Sequence, residues 1–509
     1  ARGMIEAQGV KAFAVTGYAS HINPAHELAV KQIIEDGTGV HVTCGHALSD
    51  KANYRVRAET AALNARIIPH LKGLLTDVAT SLKQRDIDAA MMVVKSDGSL
   101  MNVTTAGLRP IETMLSGPAA SVAGASFLAD VADAMVVDIG GTTTDTAIIR
   151  DEQVRTSAEG ASVGRWHTHV NALDLRTLGL GGDSIINWER GVFTIGPRRV
   201  APMAWLGARA DVAPALDWLA GYLDHLDRAT APTTMVTFLD HPSDMVLSDT
   251  EKRLLELVHA RPYCVAELAM ALGCVSSGFV PLDRLAQADL IQRCALTPTD
   301  LYHANGELDL WDAAASQRML ELLAQVARMP AERFSERVLE QFVQTLATEL
   351  FRKQVTDDCG VDEPELSALA DAMIDNWLGG GSEGWRVRVK LNHPIIGIGA
   401  PVGLFLPAAA KLLETEAIIP LHADVANAVG AITSSVSIRR HVRIVPNDLG
   451  MYVLEGLPDA PAVGTFDKAH DRAVEGLTAL VRQLAREAGT RETRVEIRVD
   501  DRTAEMDEG

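Results

Sequence analysis

The chain has 509 residues, 47% of them apolar and 22% charged, with a formal net charge of −20. That balance suits soluble cores of about two to four domains, and the sign of the charge argues against a phosphate-backbone partner such as nucleic acid. No apolar run reaches the ~18 residues needed to span a bilayer. No secretory signal is visible, and the five cysteines form no CxxC pair, so a reduced, cytoplasmic setting is expected.

In chain order, Lys11–Thr16 reads as a buried strand, Asn23 as the cap of a helix through Ile34, and Gly39–Cys44 as another strand. This βαβ-like order points to an α/β sheet. Ala58–Leu82 is helical, and Ala89–Val94 with Ser96-Asp97-Gly98 is a strand and turn. Ser116–Asp130 is a helix with Ser116 as its cap, Pro118 in its first turn and small residues at 119, 120, 123, 124 and 125. Small side chains permit close helix approach.

Met135–Arg150, MVVDIGGTTTDTAIIR, carries the most information. An apolar run ends in Asp138, two glycines and three threonines follow, then Asp145 and a second apolar run. This is a strand, a tight turn and a returning strand. Glycines without Cβ let backbone N–H groups close on an anion. Threonine hydroxyls add donors, and Asp138 can orient metal-bound water. The reading is a phosphate hairpin with Gly140, Gly141, Thr142 and Thr143 at the phosphates. No GK[ST] follows, so it is not a Walker loop. Asp145 either shares the role of Asp138 or caps the hairpin.

His167 and His169 share one face of an extended segment. With Asp174 they make a plausible divalent-metal set, against the alternative of two half-exposed histidines. Gly181–Ser184 is a second glycine turn, where Asp183 is either a catalytic carboxylate or a solvated turn residue. His26 and Glu27 either start a helix or serve catalysis. No GxSxG elbow supports a serine hydrolase.

Residues 239–330 change character. Ser248–Val258, Val265–Leu272 and Val280–Gln287 read as three helices and Asp289–Arg293 as a short strand. This resembles a winged helix, but Arg284 stands nearly alone where DNA binding would need a basic footprint. Residues 331–384 are helical. Pro394–Gly403, PIIGIGAPVG, reads as a buried strand entering a glycine turn, and Asp424–Thr433 as a second small-residue helix. Val387–Leu391, Tyr452–Leu454 and Arg494–Asp500 read as strands, and Lys468–Ala488 as an amphipathic helix.

The order of small-residue helix, phosphate hairpin, glycine turn and small-residue helix resembles the actin, sugar-kinase and heat-shock ATPase superfamily. A closer resemblance is to the hydantoinase/oxoprolinase family. It rests on NPAHE at 23–27, RPIETMLSGPAASVAGA at 109–125, DIGGTTTD at 138–145, LGLGGDSI at 178–185 and PLHADVANAVG at 420–430. Two departures stand out. The earlier phosphate loop usual in the family has no counterpart upstream of Asp138, and GPRRVAPMAWLG replaces the usual Gly/Pro-rich stretch after residue 185.

The resemblance implies a two-lobed, actin-like (ribonuclease H-like) α/β fold with an incomplete first lobe and a winged-helix-like insert. Residues 1–135 would be the rest of the first lobe, 136–238 and 385–509 the second, 239–330 the insert and 331–384 a helical segment. It implies ATP with Mg²⁺, adenosine on Gly397, Gly399 and Ala400, and a recurring aspartate at Asp174; the candidate catalytic set is Asp138, Asp145 and Asp183, the last standing where relatives commonly have glycine. The implied reaction is ATP-dependent opening of a cyclic amide or imide such as 5-oxoproline or a hydantoin. Expected partners are that substrate, a hydantoinase B-like subunit or other protein, and an oligomeric assembly, with no membrane. Two other readings stay open: an ATP-driven switch acting on a protein, and a catalytically incomplete fragment.

Overall fold

A computed structural model describes the chain except residues 50, 158–159, 164–165, 190, 225–229, 241–244, 360–367, 458–459, 489, 491–492 and 501–509. It is mixed α/β and divides into two compact units. The first comprises Ala1–Gly124, Val154–Asp174 and Asn427–Gly509; the second comprises Ala125–Gln153 and Leu175–Ala426. Among the described residues no helix is long and apolar enough to cross a membrane.

In the first unit, strands Phe13–Val15 and Val42–Cys44 pair in parallel, joined by the helix Ala25–Thr38. Pro24 caps this helix, and Asn23 instead accepts the Ala25 N–H at 3.0 Å. The helix Tyr54–Gln84 begins at Asn53, whose side chain accepts the Val56 N–H, and buries Ala61, Ala65 and Ile68. The expected turn at 96–98 joins the paired strands Met92–Val94 and Leu100–Asn102. A hairpin of Arg443–Pro446 and Tyr452–Glu455 packs on the helix Phe466–Glu487 through Leu454, Ala469 and Ala473.

The two small-residue helices are Ser116–Ala129 and Ala426–Thr433, with Ser116 as the first helical residue. Their parts in this unit approach at backbone distance. A Cβ on Gly430 would stand 2.6 Å from the Gly124 nitrogen and 2.8 Å from the Ala120 carbonyl carbon. The Asn427 side chain donates to Gly117 O at 2.9 Å.

The second unit is built on a sheet in the order Arg176–Leu178, Thr144–Arg150, Ala134–Ile139, Ile395–Ile398, Ala417–Ile418. The first three strands are antiparallel neighbours; the last three are parallel. The central strands are nearly wholly buried, as their continuous apolar runs require. Further along, Met235–Phe238, Tyr263–Cys264 and Ile291–Ala295 form a sheet. It shares an apolar cluster (Val236, Leu254, Val258, Leu268, Leu285, Ile291) with helices Asp249–Ala260, Val265–Ala271 and Leu282–Gln287. The first of these starts in a full capping box between Ser248 and Glu251.

Two expected strands are absent. Val387–Leu391 and Arg494–Asp500 lie outside any strand. Val389 and Leu391 are buried without a ladder partner, and alternation alone does not supply a neighbouring edge.

Candidate functional site

The expected phosphate hairpin lies in the second unit. Ala134–Ile139 and Thr144–Arg150 pair in register down to Ile139 and Thr144, so residues 140–143 are the connection. Gly140 closes the turn by donating to Thr143 O at 2.9 Å. The Gly140 and Gly141 carbonyls accept the N–H groups of Gly182 (3.0 Å) and Asp183 (2.8 Å). The second glycine turn is therefore seated on the first. A Cβ on Gly181 would stand 2.6 Å from Gly140 O and 2.5 Å from Gly141 O, so glycine is required there by close approach.

A further layer supports these turns. Thr299 gives both its N–H (3.0 Å) and its hydroxyl (2.8 Å) to Gly182 O. Thr299 belongs to the helix Pro298–Ala304, whose buried Asp300 accepts the N–H groups of Met203 (3.0 Å) and Ala204 (2.8 Å). Sequence reasoning gave this LTPTD segment no role. Its one sequence signal was a Thr-x-x-Asp capping box, which reads locally as a helix start.

The carboxylates follow from the strand register. Asp138 and Asp145 are paired across the two strands, each partly buried. Like charges in that relation repel. Asp145 is pushed above the usual aspartate range by burial, with the Asp138 charge adding to it and hydrogen bonds from Thr177 and Thr143 opposing it. An oxygen-liganded divalent cation such as Mg²⁺ fits this donor set, because it removes the repulsion. Asp183 is held by Arg199, whose Nε and Nη2 donate to Oδ2 at 3.2 and 3.1 Å. Burial raises its carboxyl against that ion pair. A Cβ on Gly141 would stand 2.9 Å from Asp183 Cγ. Asp183 thus lies against the hairpin as one half of an ion pair.

The expected adenosine turn adjoins the same place. Ile395–Ile398 runs parallel to Ala134–Ile139, with Ile398 opposite Asp138. The chain then turns at Gly399, whose φ of 94° excludes most side chains and whose Cβ would stand 2.8 Å from Asp138 Oδ1. Ala400 is exposed beyond it. Gly397 has a different reason to be glycine: a Cβ there would stand 2.6 Å from Val402 Cγ2, so it serves helix packing.

The remaining candidates lie in the first unit. His167 is exposed; His169 is half-buried, with Nδ1 2.5 Å from Ser49 Oγ and its N–H donated to Thr60 Oγ1. The Asp174 N–H donates to Arg155 O. Among the described residues these three do not form a group with all their ligating atoms within 4.8 Å of one another. Among the described residues the group of three ligating side chains within 4.8 Å of one another is Glu27, Cys44 and His46. Glu27 is 1% exposed and ties the fold together. Its oxygens accept Gly17 N–H (2.7 Å), His46 N–H (3.0 Å) and the His46 imidazole (2.6 Å). Burial raises its carboxyl, but His46, Ser20 and the backbone donors outweigh this and bring it down to about 2. His26 is exposed.

Residues 57–205 match the family model described as hydantoinase/oxoprolinase. The chain is 28% identical to 5-oxoprolinase of Saccharomyces cerevisiae over 202 residues, 39% of this chain and 15% of that protein. It is 24% identical to the acetophenone carboxylase gamma subunit of Aromatoleum aromaticum over 238 residues, 43% of this chain and 32% of that one. The matched stretches thus span less than a third of these relatives' lengths. Two solved structures share the fold: ATP-dependent caprolactamase from Pseudomonas jessenii (TM-score 0.57, 16% identity) and nucleotide-free acetone carboxylase (TM-score 0.54, 15% identity). Each likeness covers 96% of this chain, and 56% and 55% of those chains. The match across 57–205 includes the hairpin and the glycine turn seated on it, so this segment is similar to the hydantoinase/oxoprolinase family.

Proposed function

We propose that this chain binds Mg·ATP on the Gly140–Thr143 hairpin and uses it to open a cyclic amide or imide. The observation that carries the reading is the convergence of three turns in one unit: the hairpin, the Gly181–Ser184 turn hydrogen-bonded to it, and the Gly399 turn beside Asp138. The two-lobed actin-like arrangement belongs to the same proposal, with 239–330 as a winged-helix-like insert that packs on protein. So do a hydantoinase B-like partner and a cytoplasmic location.

In this reading Gly141, Thr142 and Thr143 hold the phosphates, and Gly399 and Ala400 meet adenosine. Asp138 and Asp145 hold the metal, which when bound neutralises phosphate charge. The lactam oxygen attacks the γ-phosphorus and ADP leaves. Water then adds to the activated carbon and the C–N bond breaks, leaving an acyl phosphate and the free amine. A second water adds to that acyl carbon, and phosphate departs with the original carbonyl oxygen, leaving the carboxylate. The turn's N–H groups and hydroxyls stabilise the charge that develops on the transferred group.

The match to acetophenone carboxylase gamma subunit favours a second reading, in which the oxygen phosphorylated is that of a ketone enolate. Calorimetric titration with Mg·ATP, with Gly141→Asp as the control, tests the nucleotide site. Unchanged affinity in that variant would remove the hairpin assignment. A screen of cyclic amides labelled with ¹⁸O at the carbonyl tests the chemistry: label appearing in released phosphate identifies O-phosphorylation, and ring opening with unlabelled phosphate rejects it.

A further inference from the structure

The first unit places three different ligand chemistries at the carboxyl ends of its two parallel strands. Cys44 is the last residue of Val42–Cys44, His46 lies at the start of the helix that follows, and Glu27 is in the first turn of Ala25–Thr38. Ligands commonly bind at this end of parallel strands. The thiol, imidazole and carboxylate atoms all lie within 4.8 Å of one another. We propose that Glu27, Cys44 and His46 form a binding site for a borderline-soft divalent metal such as Zn²⁺, with a fourth position left to water.

The donor set matches the ion. Zinc takes thiolate, imidazole and carboxylate together, in tetrahedral geometry. Ligand atoms in such a site stand about 3.4–3.6 Å apart given the usual zinc–ligand lengths. The His46–Glu27 pair at 2.6 Å therefore opens by roughly 1 Å, and the wider contacts close by a similar amount. The carboxylate is already oriented, because backbone N–H groups of Gly17 and His46 hold its two oxygens. Such outer partners fix a metal ligand in place. His46 keeps 21% of its side chain exposed, which supplies the entry path.

The charges agree. Glu27 is ionised, so the imidazole donates its Nδ1 proton to it. Cys44 makes a long contact to the Glu27 carbonyl oxygen (3.7 Å), and burial, then the Glu27 charge, raise its thiol. Metal entry releases the thiol proton to solvent and moves the imidazole proton from Nδ1 to Nε2. Carboxylate and thiolate then carry two negative charges, which a divalent ion cancels, so the buried site becomes neutral.

The test is titration of the untagged chain with Co²⁺, followed by displacement with Zn²⁺. One equivalent should bind with a near-ultraviolet thiolate-to-cobalt band that Zn²⁺ bleaches. Cys44→Ser should lose the band and weaken Zn²⁺ binding about 100-fold, and His46→Gln should weaken it about 10–100-fold. Removing the two more accessible cysteines together, Cys274→Ser with Cys359→Ser, should leave band and affinity unchanged. Absence of the band in the unmodified chain overturns the proposal whatever the variants do. So does its loss in the Cys274/Cys359 double variant, or loss of binding in a His167→Ala/His169→Ala chain.

Discussion

Gly430→Ala tests the backbone approach of the two small-residue helices. The added Cβ would overlap the Ala120 carbonyl oxygen and stand 2.6 Å from the Gly124 nitrogen, where ordinary contact begins at 3.4 Å, so the helices must part by more than about 0.8 Å. The obstructing atoms are backbone, and no rotamer change relieves them. Overpacking of that kind costs up to about 3 kcal/mol. The higher helix propensity of alanine returns about 1 kcal/mol, so a net loss of about 2 kcal/mol is expected. Gly73→Ala is the internal reference: it lies inside Tyr54–Gln84 in the same unit, with nothing within 4 Å of its Cβ direction. That change should gain about 0.5–1 kcal/mol. Urea titrations followed by circular dichroism should move the two midpoints in opposite directions. A Gly430→Ala chain as stable as the parent would refute the close crossing.

Thr299→Val removes one of two donors to Gly182 O and should cost about 1 kcal/mol while weakening Mg·ATP binding several-fold; undiminished nucleotide affinity would detach the LTPTD segment from the site. Because Asp145 titrates above the usual aspartate range, Mg·ATP affinity should fall with decreasing pH sooner than an ordinary aspartate dictates, and Asp145→Asn should flatten that limb in a calorimetric pH series. Glu27, lowered from 4.5 to about 2 in the folded chain, stabilises it fully above pH 4.5 and progressively less down to about 2. Glu27→Gln should therefore lose about 3 kcal/mol near neutrality and little near pH 2, as read from melts across that range.

The most local features were the most legible. The hairpin showed in the sequence because two apolar runs flank a Gly-Gly-Thr turn, and the helix at 249–260 because Ser248 and Glu251 announce its start. Val387–Leu391 and Arg494–Asp500 alternated like strands, yet a strand also requires a partner, and nothing local encodes one. The relation between Gly182 and Gly140 joins residues 42 positions apart through a carbonyl, which leaves no side-chain signature. Glu27 and His46 were hidden for the same reason. One read equally as a helix start or a catalytic group, and the other, 19 residues on, drew no notice. Conversely, HxH at 167 and 169 was a visible pattern, and the structure sets the His169 imidazole beside Ser49 and its backbone N–H on Thr60.

The division of the chain bears on how it is made. The boundaries at 124/125, 153/154, 174/175 and 426/427 mean that the backbone passes between the units four times. On a ribosome, nearly all of the second unit emerges before the last third of the first, Asn427 onward, exists. Gly430 is then missing from its place against Ala120 and Gly124 throughout that interval. The N-terminal portion must wait with an unfilled helix contact while a later segment folds, a long-range closure of the kind that slows folding and lengthens exposure to aggregation. Neither unit can be expressed as a single contiguous fragment, so dissection of this chain calls for circular permutation or co-expressed pieces.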